Sequence, residues 1–120
     1  GNAADFGDLV VGRQIGAGAA SSTRGLMAGG QNPGPNTDAI DTVEIASVGN
    51  ATDFGDLSVS RRGPGGCSDC IRAVFVAGST PSEQNTMDYV HFATKGNATD
   101  FGTSNDTGFS AGTSNGHGGL

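Results

Sequence analysis

The chain repeats itself. Gly1-Asn2-Ala3-Ala4-Asp5-Phe6-Gly7-Asp8-Leu9 recurs as Gly49-Asn50-Ala51-Thr52-Asp53-Phe54-Gly55-Asp56-Leu57. It returns again as Gly96-Asn97-Ala98-Thr99-Asp100-Phe101-Gly102, so the copies start 48 and then 47 residues apart. A near-identical nonapeptide in triplicate is not a chance event, and a fixed period of this size marks a chain built from equivalent structural units. The register also holds between the signposts. Asp41-Thr42-Val43-Glu44-Ile45-Ala46-Ser47 matches Asp88-Tyr89-Val90-His91-Phe92-Ala93-Thr94. Arg24-Gly25-Leu26-Met27 matches Arg72-Ala73-Val74-Phe75, each running on into an Ala-Gly step (Ala28-Gly29 and Ala77-Gly78), and Gly119-Leu120 falls where Gly25-Leu26 and Ala73-Val74 fall.

Each period predicts four short strands. The first is small and tightly packed (Gly16 to Ser21, then Gly65 to Ser68), and the second is apolar (Gly25 to Ala28, then Ala73 to Ala77). The third alternates, with Val43 and Ile45 expected inside and Thr42 and Glu44 outside, then Val90 and Phe92 inside and Tyr89 and His91 outside. Alternation of period two is the signature of a half-buried strand. The fourth lies at Asp-Phe-Gly-Asp-Leu with one aromatic per repeat, Phe6, Phe54 and Phe101. Gly, Pro and Asn clusters separate the second and third strands, and no segment carries apolar residues at helical spacing over three turns.

Four strands in about 45–50 residues is the period of a β-propeller blade, and a first strand of Gly and Ala suits the crowded axis where blades converge. A sandwich or a β-solenoid of duplicated hairpins is the alternative, although solenoid rungs are shorter, at roughly 20–30 residues. The expected fold class is therefore all-β, in kelch-like propeller blades. Residues 1–9 would end one blade, 10–57 and 58–102 would form two, and 103–120 would begin another. Propellers close with about 4–8 blades, so about two and a half blades predict either further repeats before Gly1 or a ring closed by other chains.

Composition excludes several classes of function. Of 120 residues 22 are Gly, the formal net charge is −6, and only six residues are basic, which leaves no cationic footprint for nucleic acid. No apolar run approaches the roughly 18 residues that span a bilayer; the longest is Ala73-Val74-Phe75-Val76-Ala77.

The repeated Gly-Asn-Ala-Thr-Asp-Phe-Gly-Asp-Leu, the Thr-Arg-Gly-Leu-Met-Ala-Gly-Gly of Thr23 to Gly30, and the ending Ser114 to Leu120 resemble kelch-like repeat proteins of tailed bacteriophages, common in phages of marine and cyanobacterial hosts. The resemblance implies a virion component: a tail-fibre, tail-tip or other surface-exposed module outside the cell. Its partners would be copies of itself or other virion proteins, and host surface glycan. Capsid decoration or a self-assembling fibre subunit, both purely structural, and a secreted bacterial kelch-like lectin are the alternatives. The Gly-Gly step of the family is expected intact only at Gly29-Gly30, with Gly78-Ser79 in the next repeat.

Several residues invite chemistry. Cys67 and Cys70 form a Cys-x-x-Cys, the spacing of a redox pair or of half a zinc site. No second pair exists, His91 and His117 lie at no ligand spacing, and the matching Ala19 and Ser22 show that the position takes something small, so structural thiols are expected. The carboxylate pairs Asp5/Asp8 and Asp53/Asp56 are weak calcium candidates; Asp next to Gly and Asn more commonly bonds its own backbone in a turn. Arg24 and Arg72 precede the apolar strand at equivalent places and are expected in structural pairs with a repeated Asp between blades. Asn50-Ala51-Thr52, Asn97-Ala98-Thr99 and Asn105-Asp106-Thr107 fit the glycosylation pattern, but two of these belong to the repeat text, where turn chemistry suffices. No catalytic triad or phosphate loop is visible, so neither enzymatic activity nor a cofactor is expected.

What differs between the repeats is the segment between the second and third strands: Gln31-Asn32-Pro33-Gly34-Pro35-Asn36-Thr37 in one, Ser79-Thr80-Pro81-Ser82-Glu83-Gln84-Asn85 in the other. A rigid frame with variable polar loops is the layout of a binding surface. Gln31, Asn32, Asn36, Thr80, Ser82, Gln84 and Asn85 are the candidate ligand contacts, because amides and hydroxyls suit the hydroxyls of carbohydrate.

Overall fold

The computed structural model describes residues 1–114; the expectations placed on Gly119-Leu120 and His117 lie outside the described residues. Within that span the chain is all-β. The first sheet is an antiparallel meander of β1 (Ala17–Ala20), β2 (Arg24–Ala28), β3 (Ala39–Glu44) and β4 (Thr52–Asp56), in that spatial order. The second repeats the path with β5 (Gly65–Ser68), β6 (Arg72–Val76), β8 (Ser82–His91) and β9 (Thr99–Thr107), while the two-residue β7 (Ser79–Thr80) folds back on the start of β8. β9 continues to Thr107 because the lengthened β8 offers Gln84 and Thr86 as partners for Thr107 and Thr103.

Equivalent residues make equivalent turns. Ser21 Oγ accepts the backbone N–H groups of Thr23 and Arg24 at 3.2 and 3.1 Å, closing the β1–β2 hairpin. In the second repeat Asp69 Oδ1 accepts those of Ile71 and Arg72 at 2.7 and 2.6 Å. Short polar side chains that bond the backbone two or three residues on are what such turns select. After β2 the chain turns through Gly29 and Gly30 at φ +61° and +109°; after β6 it turns through Ala77 and Gly78 at +58° and +107°. The Gly-Gly step of the first repeat therefore corresponds to Ala77-Gly78, one residue earlier than the expected Gly78-Ser79. A Cβ on Gly30 or Gly78 would lie 2.8 Å from the carbonyl oxygen of Gln14 or Arg62, so the second position of the step admits only Gly.

The two sheets pack face to face. Ala17, Leu26, Ala28, Ile40, Phe54 and Leu57 from the first meet Ala73, Phe75, Val90 and Phe92 from the second in one apolar cluster. Burying a side chain such as Phe75 contributes about 1.5–3 kcal/mol. The expected alternation of β8 holds, with Val90 and Phe92 buried and His91 exposed. That of β3 does not. Thr42 is buried, its hydroxyl donating to the Gly25 carbonyl at 3.3 Å, whereas Val43 is half-buried and Ile45 exposed. Both faces of this sheet carry apolar residues, and Thr42 lies on the one that the second sheet covers.

Successive repeats are also joined along the backbone. Gly63 N–H donates to the Ile15 carbonyl at 2.8 Å, and Ser110 N–H donates to the Gly63 carbonyl at 3.0 Å. β1 and β5 touch through Ser68, whose hydroxyl donates to the Ala20 carbonyl at 2.8 Å and accepts the Ala20 N–H at 3.3 Å.

Candidate functional site

The turns after β2 and β6 converge on a cleft of about 330 Å³ lined by Gln31, Gly34, Asn36, Ser60, Arg62, Thr80 and Pro81. Its walls come from both repeats. Gln31 pairs through its backbone with Gln14 and with Asn36 across the first turn, and Arg62 pairs with Ser79 in the second repeat, at 3.1 and 2.9 Å. The Pro33-Gly34-Pro35 segment keeps the first turn short of donors, so the side chains supply the polarity.

Those side chains are held in place. Arg62 Nη1 donates to Gln31 Oε1 at 3.2 Å, and Gln31 Nε2 donates to the Gly34 carbonyl at 3.0 Å, which fixes the amide. Asn36 Nδ2 donates to the Ser79 carbonyl at 3.0 Å, tying one repeat to the next. Arg62 has five N–H donors; its buried Nε has no hydrogen-bond partner among the described residues. One guanidinium, two amides and the hydroxyls of Ser60 and Thr80 face a hollow lined by no carboxylate. Such a surface bonds hydroxyl oxygens and favours an anionic group beside the cation.

Of the candidate ligand contacts, Gln31, Asn36 and Thr80 line this cleft. Asn32 is exposed on the same turn, outside the cleft lining. Ser82, Gln84 and Asn85 are strand residues of β8 rather than loop residues, because Ser79 and Thr80 pair back onto Glu83 and Ser82 and tighten the connection into a hairpin tipped by Pro81. Ser60 and Arg62 come from the link into the second repeat. Arg62 stands where the first repeat has Gln14, and that difference at one repeat position was the available signal.

Cys67 is half-buried in β5 opposite Val74, and Cys70 is exposed in the β5–β6 turn. Asp53 and Asp56 are exposed on β4, and no three His, Cys, Asp or Glu side chains gather among the described residues. Asp5 and Asp100 each accept the N–H two residues on, from Gly7 and Gly102, at 3.1 and 2.9 Å. Phe54 is buried between the sheets, while Phe6 and Phe101 are exposed. Arg24 pairs with Glu44 at 2.7 Å and reaches across to the Phe92 carbonyl. Arg72 faces His91 at the position of Glu44 and lies 6.0 Å from the centre of the Tyr89 ring.

The repeated Arg–Asp pair is elsewhere. Arg61 and Asp88, both fully buried, form an ion pair at 3.0 Å, and Asp88 also accepts the Ser58 hydroxyl at 2.7 Å and its N–H at 3.1 Å. Arg13 and Asp41 form the same pair one repeat earlier, with Asp41 accepting the Val10 N–H at 3.1 Å. These are structural charges, closed off from solvent. The Asp69 carboxyl is held below its ordinary range by the hydrogen bond from the Arg72 N–H, then by that from Ile71.

Neither the known protein-family models nor the curated proteins give a match to this chain.

Proposed function

We propose that the chain is a structural protein of a tailed-phage virion, a tail-fibre or appendage module of propeller-type blades that contacts host surface glycan. The virion assignment rests on the repeat text. The blade assignment rests on four-stranded antiparallel meanders recurring with the sequence period and packing face to face. The contact rests on one observation: the segments that vary between repeats meet at the joint of two repeats, where Gln31, Asn36, Thr80 and Arg62 line one cleft. Each cleft would bind sugar weakly, at about millimolar affinity, and several copies on one particle would raise the apparent affinity by about 10²–10⁴.

A glycan array probed with multivalent chain tests this reading. Binding to a defined set of bacterial surface glycans is expected, and Arg62→Ala and Asn36→Ala each abolish it without altering strand content. Uniform silence across the array, or binding untouched by both substitutions, overturns it. The purely structural alternative, a decoration or fibre subunit, is favoured by the exposed apolar side chains Ile45, Val48, Ile71 and Phe101.

A further inference from the structure

The sheltered arginines of this chain are answered by carboxylates, with one exception. Arg13 pairs with Asp41, Arg24 with Glu44 and Arg61 with Asp88. Arg72 is exposed beside the Tyr89 ring. Arg62 is half-buried, and no carboxylate stands within ion-pair distance of it among the described residues. The chain has 12 acidic residues against 6 basic ones, so a shortage of partners does not explain this. A half-buried charge without a counter-ion is unfavourable, and it is the arrangement expected of a site that a ligand completes. The frame does not require the charge. The same place in the other copies holds Gln14 and Phe109. Gln14 pairs with Gln31 through the backbone at 3.0 and 2.8 Å, just as Arg62 pairs with Ser79 at 3.1 and 2.9 Å. The cation therefore belongs to this one joint.

Inside the cleft the polar groups divide into those already used and those left over. Gln31 is used at both ends: Oε1 accepts from Arg62 Nη1, and Nε2 donates to the Gly34 carbonyl. Asn36 Nδ2 is used on the Ser79 carbonyl. Left over are Arg62 Nη2, Asn36 Oδ1 and the hydroxyls of Ser60 and Thr80, which bond nothing among the described residues. Unlike Nε, Nη2 is not shut off from solvent. Two hydroxyls and an amide oxygen match the hydroxyls of a sugar ring, and Pro81 gives an apolar wall beside them. The guanidinium is matched best by an anionic oxygen, since charge-assisted hydrogen bonds are about twice as strong as neutral ones. The walls are fixed in advance. Gly96 and Ala98 donate N–H bonds to the Phe54 and Asp56 carbonyls at 2.8 and 2.7 Å and hold the two repeats edge to edge. Gly49 and Ala51 do the same to Phe6 and Asp8 one repeat earlier, at 2.9 and 2.8 Å.

We infer that the cleft takes an acidic sugar, a ring carrying a carboxylate of the uronic-acid kind. The carboxylate accepts from Arg62 Nη2, and ring hydroxyls meet Ser60, Thr80 and Asn36 Oδ1. Gln31 is a positioning residue, which holds the guanidinium through Nη1. A carboxylate fits because the cleft lining has one cation and the ligand then brings one negative charge. A phosphomonoester carries about −1.5 to −2 at neutral pH, and its excess charge would stay uncompensated. The formal net charge of −6 repels anions at long range, but that field is screened beyond about 8 Å at physiological salt, so the contact at Arg62 decides. The inference rests on the glycan reading of this cleft and narrows it to glycans with acidic residues.

NMR titration of the isotope-labelled chain with uronic-acid oligosaccharides tests it, each beside its carboxyl-reduced neutral form and its 6-phosphate counterpart. The side-chain amides of Gln31 and Asn36 report the cleft. The carboxylate form should bind about 10- to 100-fold more tightly than the neutral one, the worth of one hydrogen bond to a charged group. Raising the salt should weaken the carboxylate form several-fold and leave the neutral form unchanged. Arg62→Gln, the side chain that the first repeat carries at Gln14, should lower the carboxylate form to the level of the neutral one, with strand content unchanged in circular dichroism. The salt response is read on the unaltered chain and stands whether or not the variant folds. Equal affinity within each pair overturns the inference and leaves the glycan reading in place. So does a preference for the phosphate, a preference unmoved by salt, or one that a folded Arg62→Gln retains. Silence toward every form, acidic and neutral alike, overturns both.

Discussion

Removing one partner of the buried Arg61–Asp88 pair should be among the most damaging single changes in this chain. Both side chains are fully excluded from water. With Asp88→Ala, Arg61 keeps only its Nη2 bond to the Phe75 carbonyl at 3.3 Å, and Ser58 loses the acceptor of both its hydroxyl and its N–H. A stranded buried charge costs about 3–5 kcal/mol, against a total stability of about 5–15 kcal/mol for a domain. An unfolding entropy of about 2.1 cal/mol/K per residue over a chain of this length converts the loss to a melting point lower by about 12–20 °C. The double replacement Arg61→Met with Asp88→Leu removes both charges and lets Ser58, which is exposed, bond water; it should fall near wild type or above it. Urea titrations followed by far-ultraviolet circular dichroism on wild type, Arg61→Met, Asp88→Leu and the double variant measure the coupling, with Asp88→Ala run beside them. If Asp88→Ala costs under about 1 kcal/mol, or if the double variant loses the sum of the two singles, the pair is not coupled as described and the reasoning fails.

Two further expectations use the difference between repeats. Phe54→Ala should cost about 3–5 kcal/mol, as for a buried aromatic, whereas Phe101→Ala should cost less than half of that; equal losses in urea melts would contradict the burial of one and the exposure of the other. The Asp69 carboxyl, lowered by the Arg72 and Ile71 N–H groups, stabilises the β5–β6 turn above its unfolded titration range, and the contribution is lost as pH falls through its lower folded value. Carbon-13 NMR titration should place Asp69 below the ordinary aspartate value, and Asp69→Asn should remove that part of the acid dependence; titration at the ordinary value would refute it.

The strand plan was legible because a repeated text forces repeated structure, and because alternation in Val90 and Phe92 marks one buried face. Burial in β3 was not legible, since Val43 and Ile45 have the same pattern as Val90 and Phe92 but face a side that no second sheet of the described chain covers. The Arg13–Asp41 and Arg61–Asp88 pairs were written in the sequence at the repeat spacing. A carboxylate heading an amphipathic strand nevertheless looks like a solvent-facing residue until the packing of two sheets is known. Asn50 and Asn97 likewise looked like turn residues; their bonds to Asp8 and Asp56 span 42 and 41 positions, which no local pattern reports. In the cleft, variability pointed to Gln31, Asn36 and Thr80. Arg62 escaped because it enters from the link to the next repeat.

The nonapeptide lies where repeats join, with Gly49 to Ala51 hydrogen-bonded to Phe6 and Asp8, and Gly96 to Ala98 to Phe54 and Asp56. A genetic exchange between two copies of this text therefore cuts and reseals the protein at its own joint. It inserts or deletes a whole repeat while leaving each hydrogen bond at the seam with an equivalent partner. Length in such a gene changes most safely in steps of one repeat, and the turn that lines the cleft travels with each step.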